Sequence, residues 1–199
     1  MKIGTKSVLF GVHNPLWHGA AVWAAYYRLY GKEAFSLPVT VACFIHDMGY
    51  WGCAEMDGPE GEEHPRLGAR IMHRLFDKPC VFCEVAQDTK GYFVDYRHNF
   101  RWHDFALYHS RSMAKKEGAT FSKLCVADKL ALAMTPRWFY IAVATLTGEI
   151  KEYMSAAKNG GYIDQDATRR QWFDWGAAKM GTWAWHNVRN AKSAVKKAA

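Results

Sequence analysis

Several features are scarce or missing in this 199-residue chain, and each absence narrows what the chain can be. No apolar run approaches the roughly 20 residues a bilayer span requires; the longest, such as Trp138 to Leu146, stop far short. The N-terminus carries Lys2 and Lys6, but Gly11 and His13 interrupt the brief apolar stretch after them, so it does not read as a secretory signal, and the expected location is the cytoplasm. Linkers rich in Ser, Pro or Gly are lacking, as are internal repeats. A single domain over 1–199 is therefore expected, with a core over about 14–134, a helical extension over about 136–190 and a frayed basic tail over 191–199.

Cysteines are few and odd in number, five in all, and Cys43 and Cys125 fall inside apolar stretches, which suits reduced core thiols. Cys80-Val81-Phe82-Cys83 has the spacing of half a zinc site, yet no second such pair completes it, and it reads as structural. The acidic turn Asp57-Gly58-Pro59-Glu60-Gly61 lacks the alternating oxygen ligands of a calcium loop and reads as a plain surface loop.

What is present is helix signal after helix signal, which predicts an all-α fold. Asn14-Pro15 marks a start whose periodic pattern runs to Tyr30, with His18, Val22, Tyr26 and Leu29 on one face. Ser36-Leu37-Pro38 opens a second helix that turns Val41, Phe44 and Ile45 inward and delivers His46 and Asp47 at its end. Pro65 opens a third with His64 at its cap, where the helix dipole disfavours the imidazolium and keeps the ring neutral.

Cys80 to Asp88 reads as one more helix, while Thr89 to Asp104, with His98 and His103, shows no regular spacing; both histidines read as non-ligands. Phe105 to His109 is short and apolar, and Thr120 to Ala133 is amphipathic, with Phe121, Leu124, Cys125, Asp128 and Leu132 on one stripe. The pattern continues from Pro136 to about Ala157, and one or two aromatic helices fill Asp164 to Arg189, where the tryptophans read as core and His186, like His73, lacks a partner.

Buried imidazoles and carboxylates are costly unless something pairs with them. A carbonyl would satisfy His18 alone and a core salt bridge would satisfy Asp128 alone; a cation would satisfy them together with His46, Asp47, His64 and His109. The net charge of +7 suits an anionic partner, and six Lys/Arg against two acids between Arg111 and Arg137 surround one of these groups.

In this order of residues the chain resembles the HD-domain metal-dependent phosphohydrolases over about Asn14 to Met134. The resemblance rests on His18 with Val22, on His46-Asp47-Met48-Gly49, on His64-Pro65-Arg66-Leu67-Gly68-Ala69, on Tyr108-His109-Ser110 and on Val126-Ala127-Asp128-Lys129-Leu130. The additional His64 and His109 are similar to the six-ligand, two-metal branch that includes bacterial diadenosine tetraphosphate hydrolases and the HD-GYP phosphodiesterases. Two departures stand out: the stretch between His64 and His109 is long, and no Gly-Tyr-Pro triplet follows His109.

The resemblance implies an HD-domain helical bundle with extra C-terminal helices. Asp47 would bridge two divalent ions (Fe, Mn, Co or Zn), with His18, His46 and Asp128 completing one site and His64 and His109 the other. A water shared by the ions would attack a phosphoester or phosphoanhydride of a nucleotide or dinucleotide. Arg66, Arg111, Lys115, Lys116 and Lys129 are candidates to hold further phosphate charge, Arg66 and Arg111 foremost because each lies two residues from an implied ligand. The same ligands also serve HD-fold di-iron oxygenases such as inositol oxygenase, and a module that binds nucleic acid through its basic tail and tryptophans is a third reading.

Overall fold

The computed structural model describes residues 1–77 and 101–192, and in these it is all-α. Eleven α-helices follow one another: α1 (Ile3–Phe10), α2 (Trp17–Tyr30), α3 (Leu37–Ile45), α4 (Pro59–Glu62), α5 (Pro65–Phe76), α6 (Arg101–Leu107), α7 (Arg111–Lys116), α8 (Lys123–Met134), α9 (Arg137–Thr147), α10 (Glu149–Asn159) and α11 (Arg169–Asn187). None among the described residues is long and apolar enough to cross a membrane by itself. The segment Cys80 to Asp88, the Cys80/Cys83 pair, His98 and residues 193–199 lie outside the described residues.

Local chemistry sets most of the boundaries. Asn14 acts as the expected cap, its Oδ1 accepting the amide of Leu16 at 2.9 Å and its carbonyl the amide of His18 at 3.0 Å. At the other end of α2, Gly31 takes φ 60°, a left-handed conformation that stops the helix cheaply only because the residue has no Cβ. Ser122 caps α8, and Thr168 with Gln171 forms a capping box on α11.

The main core is the sandwich of α2 on α8 and α8 on α11, closed on the far side by α3, α5 and α6. Val22, Tyr26, Leu107, Met113, Leu124 and Val126 are fully buried there, each such aliphatic or aromatic side chain contributing roughly 1.5–3 kcal/mol by leaving water. A second cluster, built on Val12, Ala144, Ile150, Trp172 and Phe173, joins α9 and α10 to the other half of α11. Between α8 and α9 the chain turns by 102°. The two clusters therefore stand side by side with a cleft between them.

Several expectations need correction. α1 was not foreseen, and the stretch from Pro136 to Ala157 is two helices, broken at Gly148, whose φ of 91° no helix accommodates. On α3 the fully buried face is Val39, Ala42 and Cys43, leading to His46; Val41, Phe44 and Ile45 sit half-buried on its flank, because the residues that share a face with His46 are those three, four and seven positions earlier. The chain is tied down as far as Lys192, whose amide donates to Phe121 and whose carbonyl accepts from Lys123. Trp138 and Trp185 are exposed at 75% and 52%, so they are not core. His73 does have a partner, the Asp77 carboxylate at 3.2 Å, and the same carboxylate caps the first turn of α6 through the amides of Trp102 and His103.

Candidate metal centre

The six expected ligand residues come from five places in the chain and meet at one end of the cleft. His18 is on α2, His46 and Asp47 follow α3, His64 caps α5, His109 follows α6, and Asp128 is in the middle of α8. Two close approaches bring them together. Gly49 lies against the backbone of His64 so tightly that a Cβ there would collide with the His64 carbonyl, and a Cβ at Gly68 would come within 3.1 Å of the His46 backbone where α5 crosses the end of α3. Those glycines hold the two helix ends at contact distance.

Each of three rings is anchored by its outer nitrogen. Nδ1 of His46 donates to the carbonyl of Cys43 at 3.0 Å, that of His64 to Gly61 at 2.6 Å, and that of His109 to Ala106 at 2.6 Å. A carbonyl can only accept, so in all three neutral rings the proton sits on Nδ1 and the lone pair on Nε2 faces inward. The inward atoms then find one another: Nε2 of His64 and His109 are 3.0 Å apart, and Oδ1 of Asp47 is 3.3 Å and 3.2 Å from them. Three acceptors converge with no donor among them. Burial, aided by the neighbouring His46 and His64, lowers the pKa of His109 to about 4 despite the Asp47 carboxylate. His109 supplies no proton at neutral pH.

The other oxygen of Asp47 serves a second group. Oδ2 is 3.1 Å from His18 Nε2 and 3.3 Å from His46 Nε2, and Asp128 Oδ1 is 3.3 Å and 4.0 Å from the same atoms. Although His18 Nε2 is close to two carboxylates, neither it nor His46 Nε2 makes an aligned hydrogen bond. Buried polar atoms left this way are costly. The donor atoms of each group lie within 4.8 Å of one another, and the two groups can hold metal ions. The fit is supported by the orphaned nitrogens, the lone pairs that face each other and a donor set of imidazole and carboxylate suited to first-row divalent ions.

Without an ion, protons must hold the first group together. Burial opposes a charge on His18, but Asp128 and Asp47 outweigh it and raise the pKa to about 9. Both carboxylates are held well below the ordinary range: burial pushes up, and His46 and His109 for Asp47, Lys129 and His18 for Asp128, pull down harder. In the metal-free protein the His18 cation therefore stabilises the fold fully below pH 6.5, and this is lost as pH rises through about 9. A divalent ion has to displace that proton. Its apparent affinity should rise about tenfold per pH unit from pH 7 to 9 and level off above, with about one proton released per ion. Titrating Mn²⁺ calorimetrically in two buffers of different ionisation enthalpy measures this, and an affinity independent of pH over that range would count against it.

The expected phosphate-holding residues divide. Arg111 and Lys129 line the cleft, a cavity of about 750 Å³ with the two groups at one end. Lys129 is also the salt-bridge partner of Asp128, its Nζ 2.7 Å from Oδ2, so the alternatives of cation and core ion pair for Asp128 hold together. Arg66 does not reach the cavity. Two residues on a helix are a turn of roughly 200°, which sends it from the His64 side to the surface, where it pairs with Glu63 and Glu117. Lys116 pairs with Glu63 at 2.6 Å and Lys115 is exposed, so neither lines the cavity. His103 joins Asp104 at 3.1 Å, away from both groups.

Sequence reasoning missed a second layer. His13, in the turn before α2, has Nε2 3.9 Å from Asp47 Oδ2 and Nδ1 3.3 Å from Glu149 Oε2. Glu149 is fully buried and also accepts from Val12, Tyr153 and Thr147. Tyr50 stacks on His64 with ring centres 3.9 Å apart. Comparison with family models, curated proteins and solved structures found no match to the chain.

Proposed function

We propose that the chain is a metal-dependent phosphohydrolase of the HD-domain type, binding two divalent ions (Fe, Mn, Co or Zn) and acting on a phosphate ester or anhydride of a nucleotide. The observation that carries this reading is the split carboxylate of Asp47, one oxygen facing His18 and His46 and the other facing His64 and His109. Bound to these two groups, the ions would supply Lewis acidity toward phosphoryl oxygens and a water acidified to near neutral pH.

The chain's own residues do the rest. The anchored Nδ1–H groups of His46, His64 and His109 fix ring orientation and raise the basicity of Nε2. Lys129 and Arg111, which both line the cavity, present positive charge to phosphoryl oxygens. Tyr50 covers the face of His64, and the fully buried Glu149 beneath His13 holds that ring against Asp47. No side-chain nucleophile is needed.

The rival is an oxygenase built on the same ligands, and oxygen separates the two. Protein loaded with Mn²⁺ or Fe²⁺ is incubated without oxygen with nucleoside mono- and triphosphates, dinucleoside polyphosphates and cyclic dinucleotides. Release of phosphate or nucleotide is expected. Turnover that requires both iron and oxygen, with no hydrolysis of any phosphate compound, would overturn the proposal.

A further inference from the structure

The cavity is lined by two unlike sets of side chains, and together they define more of the substrate than the ligand set does. One set comprises four carboxylates (Asp47 and Asp128, with the exposed Asp57 and Glu62) and two basic side chains, Arg111 and Lys129. Two divalent ions would turn that deficit of two charges into an excess of two, which matches a single phosphoryl dianion. A triphosphate, even with a divalent ion of its own to offset part of its charge, would bring two further phosphoryl groups and a further demand for cationic partners. To meet it the cavity has, among the described residues that line it, only Lys129, already bound to Asp128 at 2.7 Å, and Arg111, whose guanidinium lies over the Trp183 ring at 5.0 Å.

The other set is aromatic rings from three helices: Trp17 of α2, Phe139 and Tyr140 of α9, and Trp172 and Trp175 of α11. Trp17 meets Phe139 edge to face at 5.8 Å, and Trp172 lies 6.0 Å from Tyr140. Three polar atoms of the lining are bonded within the chain. Trp17 Nε1 donates to the Gly11 carbonyl, Thr135 Oγ1 to Ala131 and the Tyr153 hydroxyl to Glu149. Such a chamber offers ring faces and edges to a flat ligand.

We infer that the substrate is a phosphomonoester with one phosphoryl group on a flat aromatic or nucleoside body that stacks on these rings, and that polyphosphates are disfavoured. This rests on the hydrolase reading for the bond that is cut. Water adds its oxygen to phosphorus, the ester P–O bond breaks, the ester oxygen leaves as an alcohol carrying a proton from that water, and inorganic phosphate is the second product.

Binding can be measured without cleavage. The Mn²⁺-loaded protein is titrated calorimetrically with methylphosphonate, 1-naphthylmethylphosphonate, adenosine 5′-monophosphate and the Mn²⁺ complex of adenosine 5′-triphosphate. The naphthyl compound should bind at least about tenfold more tightly than the methyl compound, the scale of one good ring stack, and the triphosphate no more tightly than the monophosphate. In Trp175→Leu the naphthyl advantage should shrink below about threefold while methylphosphonate affinity stays unchanged. Phe139→Leu, a milder change in the opposite wall, should reduce the advantage in the same direction.

Equal affinity for the two phosphonates, or a tenfold preference for the triphosphate, would overturn the inference and leave a hydrolase in place. The expected naphthyl advantage with no anaerobic release of phosphate from adenosine 5′-monophosphate or any other phosphate compound would do the reverse. Failure of every phosphate compound to bind would end both.

Discussion

Replacing Asp47 by alanine should strip both metal groups at once, taking bound metal and turnover to the level of the blank while leaving the helical circular dichroism of the protein unchanged. Each oxygen of this carboxylate is about 3.1–3.3 Å from two imidazole nitrogens of a different group. Losing a mere supporting partner of a ligand costs roughly 10–100-fold in metal affinity, so a carboxylate shared by both groups should cost more than that at each. Asp128→Ala removes a ligand from the first group alone and His64→Ala from the second alone, and each should retain part of the metal. Combining either with Asp47→Ala should add little, because residues that act as one unit are not additive. The fold should tolerate the change, since Asp47 follows α3 and its carbonyl still accepts the Tyr50 amide at 3.0 Å. Metal content by mass spectrometry and anaerobic phosphate release test this together. Full metal occupancy in Asp47→Ala would contradict the shared role.

The six residues of the two groups carry different marks in the sequence, and the resemblance to the HD-domain pattern joins them into one set. His18 and Asp128 interrupt apolar helical stripes, while His46, Asp47 and His64 stand at helix ends marked by glycine and proline. His109 closes a short apolar run, and only the structure brings it within 3.2 Å of Asp47. The supporting layer was hidden for the opposite reason. Glu149 follows Gly148 at the start of α10, where an acid is ordinary, and its burial comes from α1, Val12 and Tyr153, contacts as far as 137 residues apart in the chain. Closeness in sequence misled in the case of Arg66, which a continuous helix rotates away from His64. For Arg111 it did not, because Ser110 interrupts the chain between His109 and α7 and caps the new helix.

That hidden carboxylate carries the largest expected effect on stability. Glu149 has no exposed surface and holds four partners from three parts of the chain: the Val12 amide at 3.3 Å, the Tyr153 hydroxyl at 3.1 Å, the Thr147 hydroxyl and His13 Nδ1 at 3.3 Å. Gly11 is required beside it, since a Cβ there would collide with Oε1. Glu149→Ala strands these donors inside the protein and should cost about 3–5 kcal/mol, the range for breaking a buried charged pair by removing one member. Glu149→Gln keeps the shape but turns an acceptor into a donor, and about 1–3 kcal/mol is expected. Burial favours the neutral acid, yet the contacts with His13 and Thr147 win and leave the pKa below its usual value. The stability Glu149 contributes through its charge is therefore present above pH 4.5 and lost as pH falls through the depressed pKa. Urea unfolding of wild type and Glu149→Ala should thus show a gap that is widest near neutral pH and narrows in acid. Because His13 stands between Glu149 and Asp47, both variants should also weaken metal binding, alanine more than glutamine. A gap under about 1 kcal/mol, or one that widens as the pH falls, would mean that the buried carboxylate does not hold the wall of the metal centre in place.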